Sequence, residues 1–203
     1  MFPPRTLSLS ETQKFTAQIG RRGLAPQLAS ETLLYTGLRL GEYLHLHWRD
    51  VVGLDYRPRS EVHILAEWTK TRTARTIPIP PPLQDLYCYF LERHLDERKG
   101  YPALHWPLWP GDRETGFKMR HLQDIFREAG LRAIGRAVTP HMLRHTYASN
   151  LLAVSNTRIV QLALGHKSLS STQIYLHPSS TEVAEATSRL SERYYPREER
   201  HNG

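Results

Sequence analysis

The sequence between residues 139 and 145 reads Thr139-Pro140-His141-Met142-Leu143-Arg144-His145. Threonine is a favoured helix N-cap and proline is favoured at the first helical position, so this segment predicts a helix that continues to about Leu152. His141 and Arg144 lie three residues apart, which places them on one face of that helix. The free N–H groups and positive dipole of a helix N-terminus favour a bound phosphate at this end. A His-x-x-Arg pair alone, however, is most often ordinary surface charge.

Further helices are predicted on both sides of this one. Thr157 to Leu164 forms a helix that stops at Gly165, and His166 follows directly. A short helix is predicted from Ser168 to Tyr175, nine residues after His166. Ser8-Leu9-Ser10-Glu11 has the spacing of a capping box, which predicts a helix start. The remaining predictions are helices over residues 8–19, 28–35 (ended by Thr36-Gly37), 42–47, 83–95, 117–129 (ended by Gly130) and 180–192, and a loop over residues 100–116.

In one section of the chain the residue pattern is typical of β-strands rather than helices. Val62-His63-Ile64-Leu65 and Thr76-Ile77-Pro78-Ile79 are β-type runs, joined by the polar, basic stretch from Thr69 to Arg75. They predict a β-hairpin over about residues 61–80, or a three-stranded meander, with Pro78 at an edge or a strand end. We therefore expect a mainly α fold with a small antiparallel β-sheet, built as a single domain over residues 1–203.

The charge of the chain points weakly to polyanions. Its 203 residues include 27 Lys+Arg and 20 Asp+Glu, which gives a net charge of +7. No carboxylate occurs between Glu128 and Glu182. A surface without carboxylates suits a phosphate backbone, although chance together with a buried core gives the same pattern. The basic residues in that stretch are Arg132, Arg136, Arg144, Arg158 and Lys167.

Several classes of protein are disfavoured by the sequence. No run approaches the roughly 18 apolar residues that a membrane span needs. The single cysteine, Cys88, cannot form an internal disulfide, which fits a cytoplasmic protein, and its apolar neighbours predict a core position. There is no glycine-rich phosphate loop ending in Lys-Ser/Thr and no acidic cluster for magnesium. His141 and His145 have the spacing of a zinc pair, but the glutamate of a His-Glu-x-x-His helix is absent.

Five segments, in order, resemble the tyrosine recombinase/phage integrase family over about Leu7 to Ser191. They are Thr36-Gly37-Leu38-Arg39-Leu40-Gly41-Glu42 (followed by Leu46 to Val51), Thr69-Lys70-Thr71 with Arg75 to Ile79, His141 to His145, Leu164-Gly165-His166, and Tyr175. The resemblance implies the catalytic-domain fold of that DNA breaking-rejoining family. It also implies that Arg39 and Arg144 hold the non-bridging oxygens of the scissile phosphate, where negative charge grows in the transition state. His166 would add a hydrogen bond to the same phosphate.

The resemblance assigns the remaining roles to proton transfer and nucleophilic attack. Tyr175 would attack phosphorus to form a 3′-phosphotyrosine, with His141 accepting its proton. Lys70 would protonate the leaving 5′-oxygen; alternatively, it is a solvated lysine or a phosphate contact. Glu42 either orients the site or forms a plain intrahelical ion pair. His145 is either a supporting residue of the site or a structural one.

The function that the resemblance implies is site-specific recombination of double-stranded DNA, without metal, ATP or other cofactor. We expect self-association into a dimer or tetramer on DNA, association with the nucleoid while bound, and no membrane or small-molecule partner. In the family the tail helix, here about residues 180–192, docks on a neighbouring protomer; packing on its own domain is the alternative. Two other functions stay open: a catalytically silent DNA-binding regulator, and a type IB topoisomerase-like relaxing enzyme.

The chain departs from the family at its N-terminus. Most relatives carry an N-terminal helical domain that closes around DNA, whereas this chain begins almost at the first helix of the catalytic domain. We expect a naturally short form, resembling the fimbrial phase-switch invertases in layout, with an excised catalytic domain as the alternative.

Overall fold

The computed structural model describes residues 6–70, 72–98, 104–109, 118–165 and 180–194. Within them the α-helices are α1 (Leu9–Gly20), α2 (Leu24–Thr36), α3 (Leu40–Leu44), α4 (Trp48–Val51), α5 (Pro81–Arg98), α6 (Lys118–Ile134), α7 (Pro140–Val154), α8 (Thr157–Leu164) and α9 (Ser180–Tyr194), and the strands are β1 (Glu61–Ile64) and β2 (Arg75–Pro78). The expected mainly helical fold with a small antiparallel sheet is confirmed. None of these helices has the length and apolarity to cross a membrane.

Helix α2 lies at the centre of the core. It packs against α1, α5, α6, α7 and α9, and it is buried from Leu28 to Thr36. A buried helix must satisfy its own polar groups. Accordingly, the Thr32 hydroxyl donates to the Leu28 carbonyl at 2.7 Å and lies 3.2 Å from the Tyr87 hydroxyl on α5. The helix begins four residues earlier than predicted and includes Pro26 in its first turn, where a missing N–H costs no intrahelical bond.

The two strands form a two-stranded antiparallel sheet, which confirms the hairpin; no third strand joins it among the residues described. The register pairs Val62 with Ile77, and both side chains are buried. Pro78 pairs with Glu61 at the end of the ladder, where a residue without an N–H is tolerated. The sheet packs against α4, α8 and α9.

Helix ends defined by local capping follow the sequence. The Ser8 hydroxyl accepts from the Glu11 N–H at 3.2 Å, and the Glu11 carboxylate accepts from the Ser8 N–H at 2.9 Å. The Thr139 hydroxyl accepts from the Met142 N–H at 3.2 Å, which caps α7 at the predicted residue. The predicted capping box and the predicted start of α7 are therefore both confirmed.

The prediction that Gly130 ends α6 is wrong. The helix continues to Ile134 and stops at Gly135, which has a φ of 72°. Gly130 serves close packing instead, because a Cβ there would lie 2.6 Å from the Arg136 carbonyl and from the backbone of Val138. The returning chain therefore crosses the helix at a residue without a side chain.

The predicted helix over residues 42–47 is also wrong in its bounds. Helix α3 ends at Leu44 and α4 begins at Trp48. Between them His45 forms a turn and His47 is extended, and the Leu46 carbonyl accepts from the Leu108 N–H at 2.8 Å. Part of the segment predicted as a loop therefore packs against this break, and Leu108 is buried there.

Helix α9 lies close to its predicted bounds and packs on its own domain, against α7, β2, α2, α5 and α8. Its buried face includes Val183, Ala186, Leu190 and Tyr194. The Tyr194 hydroxyl accepts from the Asn150 side chain on α7 at 2.8 Å. The structure of the single chain thus shows packing in cis, and docking of the tail on a neighbouring protomer stays a prediction. Loss of residues from Thr181 onward would expose this core.

Candidate active site

Three of the predicted site residues lie together where α3, α7 and the end of α8 meet. Arg39 is the N-cap of α3, two residues after Gly37 ends α2 in the left-handed conformation. Glu42 lies in the first turn of α3, and Arg144 in the second turn of α7. Glu42 and Arg144 are buried, whereas Arg39 is partly exposed, with 24% of its side chain accessible.

The Glu42 carboxylate binds more than its helical neighbour. Its Oε1 accepts from Arg39 Nη1 at 2.8 Å and from Arg75 Nη1 at 3.2 Å. Its Oε2 accepts from Arg75 Nη2 at 2.7 Å and from the Arg39 backbone N–H at 2.9 Å, and it lies 3.9 Å from Arg144 Nη1. Of the two readings of Glu42, this geometry favours orientation of the site over a plain intrahelical pair.

Arg75, the first residue of β2, is the site residue that sequence reasoning missed. Its side chain is 6% exposed and leaves the hairpin to reach Glu42 with both terminal nitrogens. Its Nε donates to the Ala163 carbonyl at 3.0 Å. The only sequence signal was its place in a segment resembling the family's hairpin, which gave it no role. Arg39, Glu42, Arg75 and Arg144 are called the arginine cluster below.

The C-terminal end of α8 is held by two members of this cluster. Arg75 binds the Ala163 carbonyl, and Arg144 Nη2 donates to the next carbonyl, that of Leu164, at 2.8 Å. The last carbonyls of a helix lack intrahelical donors and carry its negative dipole end, so both contacts are favourable. Gly165 ends α8 with a φ of 66°, and a Cβ there would lie 3.1 Å from the Arg75 side chain. The glycine of the Leu-Gly-His segment thus admits the arginine.

Arg144 also fixes the end of α2. Its Nη1 donates to the Gly37 carbonyl at 2.5 Å. Gly37 has a φ of 62°, and a Cβ at this residue would lie 2.3 Å from the Tyr147 ring. Both the backbone conformation and the contact with the ring therefore require glycine next to Arg39.

The electrostatics of the cluster favour an anion. Burial acts to raise the pKa of Glu42, but the hydrogen bond and charge of Arg75, and hydrogen bonds from Arg39, outweigh it and hold that pKa below its usual 4.5. Burial, and then the neighbouring Arg39, lower the pKa of Arg144 to about 10. Three guanidinium groups share one ionised carboxylate, so the cluster carries a net charge of 3 − 1 = +2.

His141, His145 and Lys70 lie at the surface, unlike the arginine cluster. His141 and His145 are one turn apart near the N-terminus of α7. Burial, then the charges of His141 and Arg144, lower the pKa of His145 below its usual 6.5. His145 is therefore electrostatically linked both to the exposed His141 and to the buried cluster.

Lys70 is exposed, but the residues before it in the hairpin are anchored. The Thr69 side chain is buried, and its hydroxyl accepts from the Thr73 N–H at 3.0 Å across the turn. The Trp68 ring stacks on His45, at the end of α3, with centroids 5.8 Å apart and planes inclined by 8°. The structure thus attaches the Lys70 turn to α3, the helix that carries Glu42.

His166 and Tyr175 lie outside the described residues, so their predicted roles stay predictions. Three other tyrosines, Tyr147, Tyr194 and Tyr195, could compete with Tyr175 as the nucleophile, and the first two are core residues. Tyr147 is fully buried, and burial raises its pKa well above the usual value; burial also raises the pKa of Tyr194 to about 12. A deeply buried phenol is both inaccessible to DNA and hard to ionise. Tyr195, the third competitor, lies outside the described part of the chain.

Two further predictions concern metals and the basic stretch. No group of three or more His, Cys, Asp or Glu side chains that could hold a metal occurs in the residues the structure describes. In the stretch without carboxylates, Arg136 is engaged by Glu11 of α1 through contacts of 2.9 and 3.0 Å. Arg144 belongs to the arginine cluster. The stretch is therefore not a uniform exposed surface.

The single cysteine was predicted to lie in the core. Cys88 is instead half-buried.

Comparison with known proteins places these features in a family. The model of the phage integrase family matches residues 6–182. Tyrosine recombinase XerA of Pyrococcus furiosus is 32% identical over 189 residues, which is 93% of this chain and 62% of that protein. The crystal structure of XerA recombinase has a TM-score of 0.64 and 26% identity, over 97% of this chain and 65% of its own.

A second solved structure delimits the shared region. The lambda integrase catalytic core has a TM-score of 0.53 and 22% identity, over 80% of this chain and 91% of its own. The similarity shows that the fold is that of an integrase catalytic domain. The chain spans less than two thirds of the length of the XerA protein that it matches.

Proposed function

The chain belongs to the phage integrase family, and on that premise we propose that it is a tyrosine site-specific recombinase that cleaves and rejoins strands of double-stranded DNA. The observation that carries the proposal is the arginine cluster, in which three arginines share one buried carboxylate. A buried excess of positive charge is costly alone and is relieved by a bound anion. A phosphodiester meets this need, and guanidinium groups match its oxygens.

In the proposed reaction, Arg39 and Arg144 bind the non-bridging oxygens of the scissile phosphate. Negative charge on those oxygens increases as a fifth oxygen approaches phosphorus, so preorganised guanidinium groups stabilise the transition state more than the ground state. The anchoring of Arg144 to the Gly37 and Leu164 carbonyls supports this role, because the group does not have to reorganise during the reaction. His166 adds a hydrogen bond to the same phosphate.

Bond exchange takes place at phosphorus. The Tyr175 oxygen forms a bond to phosphorus, and the bond from phosphorus to the 5′-oxygen breaks, which leaves a 3′-phosphotyrosine and a 5′-hydroxyl. The phenol proton passes to His141, and Lys70 gives a proton to the departing 5′-oxygen. The exposed positions of both groups support this, because both must reach the DNA. The covalent bond conserves the energy of the phosphodiester, so rejoining consumes no ATP. In this proposal Arg39 and Arg144, rather than a metal ion, stabilise the charge on the phosphate.

We propose that the protein assembles on its DNA as a dimer or tetramer, since recombination requires two paired sites. Helix α9 packs in cis in the single chain. Docking of α9 itself on a neighbour would therefore require its release from its own domain during assembly. Association with the nucleoid follows from DNA binding.

The test is covalent trapping on sequenced genomic DNA fragments, with Tyr175→Phe as the matched variant. The wild type should form a protease-sensitive protein–DNA adduct at defined sites. The phenylalanine variant should bind the same DNA but form no adduct, because only the attacking hydroxyl is lost. Binding without any adduct by the wild type would instead indicate a silent regulator. Relaxation of supercoiled plasmid without exchange between sites would indicate a topoisomerase-like enzyme.

A further inference from the structure

Of the three arginines in the arginine cluster, Arg75 is the one without a part in the proposed reaction. It starts a strand of the hairpin, yet its side chain packs into the interior and contacts two other elements, α3 and the end of α8. A hairpin needs no such contact for its own ladder. A buried arginine also carries a large desolvation cost, which its partners have to offset. The contacts of Arg75 therefore call for a role beyond the stability of the sheet.

We propose that Arg75 is a positioning residue for strand cleavage. It holds the Glu42 carboxylate in one orientation, and thereby sets the direction in which Arg39 and Arg144 present their guanidinium groups to the scissile phosphate. The inference rests on the proposed function, because it deepens the account of the same site. Arg75 acts through Glu42 and does not itself contact the DNA.

The first argument for this role of Arg75 comes from the hydrogen bonds that Glu42 accepts. An ionised carboxylate offers about four lone-pair sites. In this structure Glu42 accepts two bonds from Arg75 and two from Arg39, one of them from the Arg39 backbone. The fork of Arg75 thus takes half of the accepting capacity and fixes the rotation of the carboxylate. The orientation of the Arg39 side chain follows from it.

The second argument for this role of Arg75 concerns the charge of Arg144. Because Arg75 occupies both oxygens at 2.7 and 3.2 Å, Arg144 stays 3.9 Å from the carboxylate and keeps its close contacts with backbone carbonyls instead. Without the Arg75 fork, Glu42 could turn toward Arg144 and pair with it more closely. That pairing would neutralise part of the charge intended for the phosphate.

The third argument for this role of Arg75 comes from the C-terminal end of α8. Arg75 and Arg144 bind successive carbonyls, those of Ala163 and Leu164, so one helix end fixes the two arginines relative to each other. Gly165 lies against the Arg75 side chain, because a Cβ there would be 3.1 Å from it. A lysine at this position keeps the charge, but it cannot hold both carboxylate oxygens and the carbonyl at once, because its ammonium is a single point.

The test compares Arg75→Lys with the wild type in single-turnover cleavage at saturating DNA. A small misplacement of groups at a site costs up to about 10²-fold in rate, so we expect Arg75→Lys to be slower by about that factor with an unchanged Kd for DNA. The loss should persist on a substrate whose bridging 5′-oxygen is replaced by sulfur. That substrate removes the need for a proton from Lys70, but not the need for charge on the non-bridging oxygens.

Arg136→Lys is the matched control. Arg136 also holds a carboxylate, that of Glu11, with several donors, but outside the cluster. It should lose a similar set of bonds and cleave at the wild-type rate. Equal slowing of both variants would overturn the inference, because loss of any arginine–carboxylate pair would then suffice. Full recovery of Arg75→Lys on the sulfur substrate would also overturn it, because Arg75 would then act through the Lys70 hairpin.

A second pair of variants keeps the inference testable if Arg75→Lys does not fold. Gly165→Ala and Gly135→Ala introduce the same strain at φ values of 66° and 72°, but only the first places a Cβ against Arg75, since nothing lies within 4 Å at Gly135. Gly165→Ala should slow cleavage on both substrates and Gly135→Ala should not; equal rates would overturn the inference. A wild type that forms no adduct would refute the proposed function itself, which separates the two failures.

Discussion

The arginine cluster and the exposed group formed by Lys70, His141 and His145 belong to one candidate site but differ in how the protein holds them. Glu42 and Arg144 are 1% and 6% exposed. Glu42, Arg75 and Arg144 each bind another element of the fold, and Arg39 binds Glu42 within α3. The exposed group lies on a hairpin turn and on the solvent side of α7. Groups that stabilise charge benefit from being fixed in a dry setting, whereas groups that transfer protons must exchange them with solvent or substrate.

This difference predicts which substitutions should affect stability and which should affect the chemical reaction. A substitution in the cluster alters both the stability of the domain and the chemistry, since the same bonds serve both. A substitution in the exposed group should alter the chemistry alone. Arg39 lies between the two, with its side chain partly accessible and anchored to Glu42. It has the most accessible side chain of the cluster.

The largest effect is expected for Glu42→Gln. Removal of one partner from a buried ion pair typically costs about 3–5 kcal/mol, because the remaining charge is left uncompensated. Three arginines depend on this carboxylate, so we expect a loss of that order in the free energy of unfolding, measured with urea at neutral pH. Glu128→Gln is the control, since its pair with Arg22 is exposed and is worth about 0–1 kcal/mol. A similar loss of unfolding free energy in the two variants would show that the buried Glu42 carboxylate is no more important for stability than an exposed ion pair.

A large effect on rate without an effect on stability is expected for Lys70→Ala. General acid catalysis contributes about 10²–10⁴-fold, so cleavage of normal DNA should slow by that factor while the urea midpoint stays unchanged. Sulfur in place of the bridging 5′-oxygen should restore the rate, because a thiolate leaves without a proton. Arg39→Ala is the control that sulfur should not rescue. If Lys70→Ala stays equally slow on both substrates, Lys70 only positions the phosphate.

A smaller effect is expected on the acid stability of the domain. The folded-state pKa of Glu42 lies below 4.5, so its contribution to stability is complete above about pH 4.5 and is lost as the pH falls through the folded value. The Glu11 carboxyl contributes with the same sign, because its hydrogen bond from the Ser8 backbone, together with Arg136, lowers its pKa. The free energy of unfolding of the wild type should therefore fall with pH below about 4.5. Glu11→Gln should show a shallower fall, whereas an unchanged slope would exclude that contribution.

The smallest effect concerns the titration of His145. Its pKa should lie below 6.5 in the folded protein, in keeping with burial and the nearby charges of His141 and Arg144. Proton NMR of the ring should show this midpoint, assigned with His145→Gln. In His141→Gln the midpoint should move part of the way back toward 6.5, since burial, the first cause, remains. If the midpoint is the same in His141→Gln as in the wild type, the charge of His141 does not contribute to the pKa of His145.

The sequence by itself determined the features that depend on near neighbours, together with the family. The Ser8–Glu11 box, the start of α7 at Pro140 and the end of α8 at Gly165 are bonds or conformations spanning at most four residues, so local residue types suffice. The motif order predicted the mainly helical recombinase fold, which the structure and the comparisons confirm.

Only the tertiary structure decided which distant groups meet. Arg75 binds Glu42 across 33 positions and Ala163 across 88, and no local pattern encodes such a partner. The error at Gly130 has the same origin, because the glycine admits a returning chain rather than ending a helix. The break between α3 and α4 and the packing of α9 on its own domain depend on segments brought together by folding. Hydrogen bonds and close contacts act over a few ångströms in space, and sequence distance does not measure that separation.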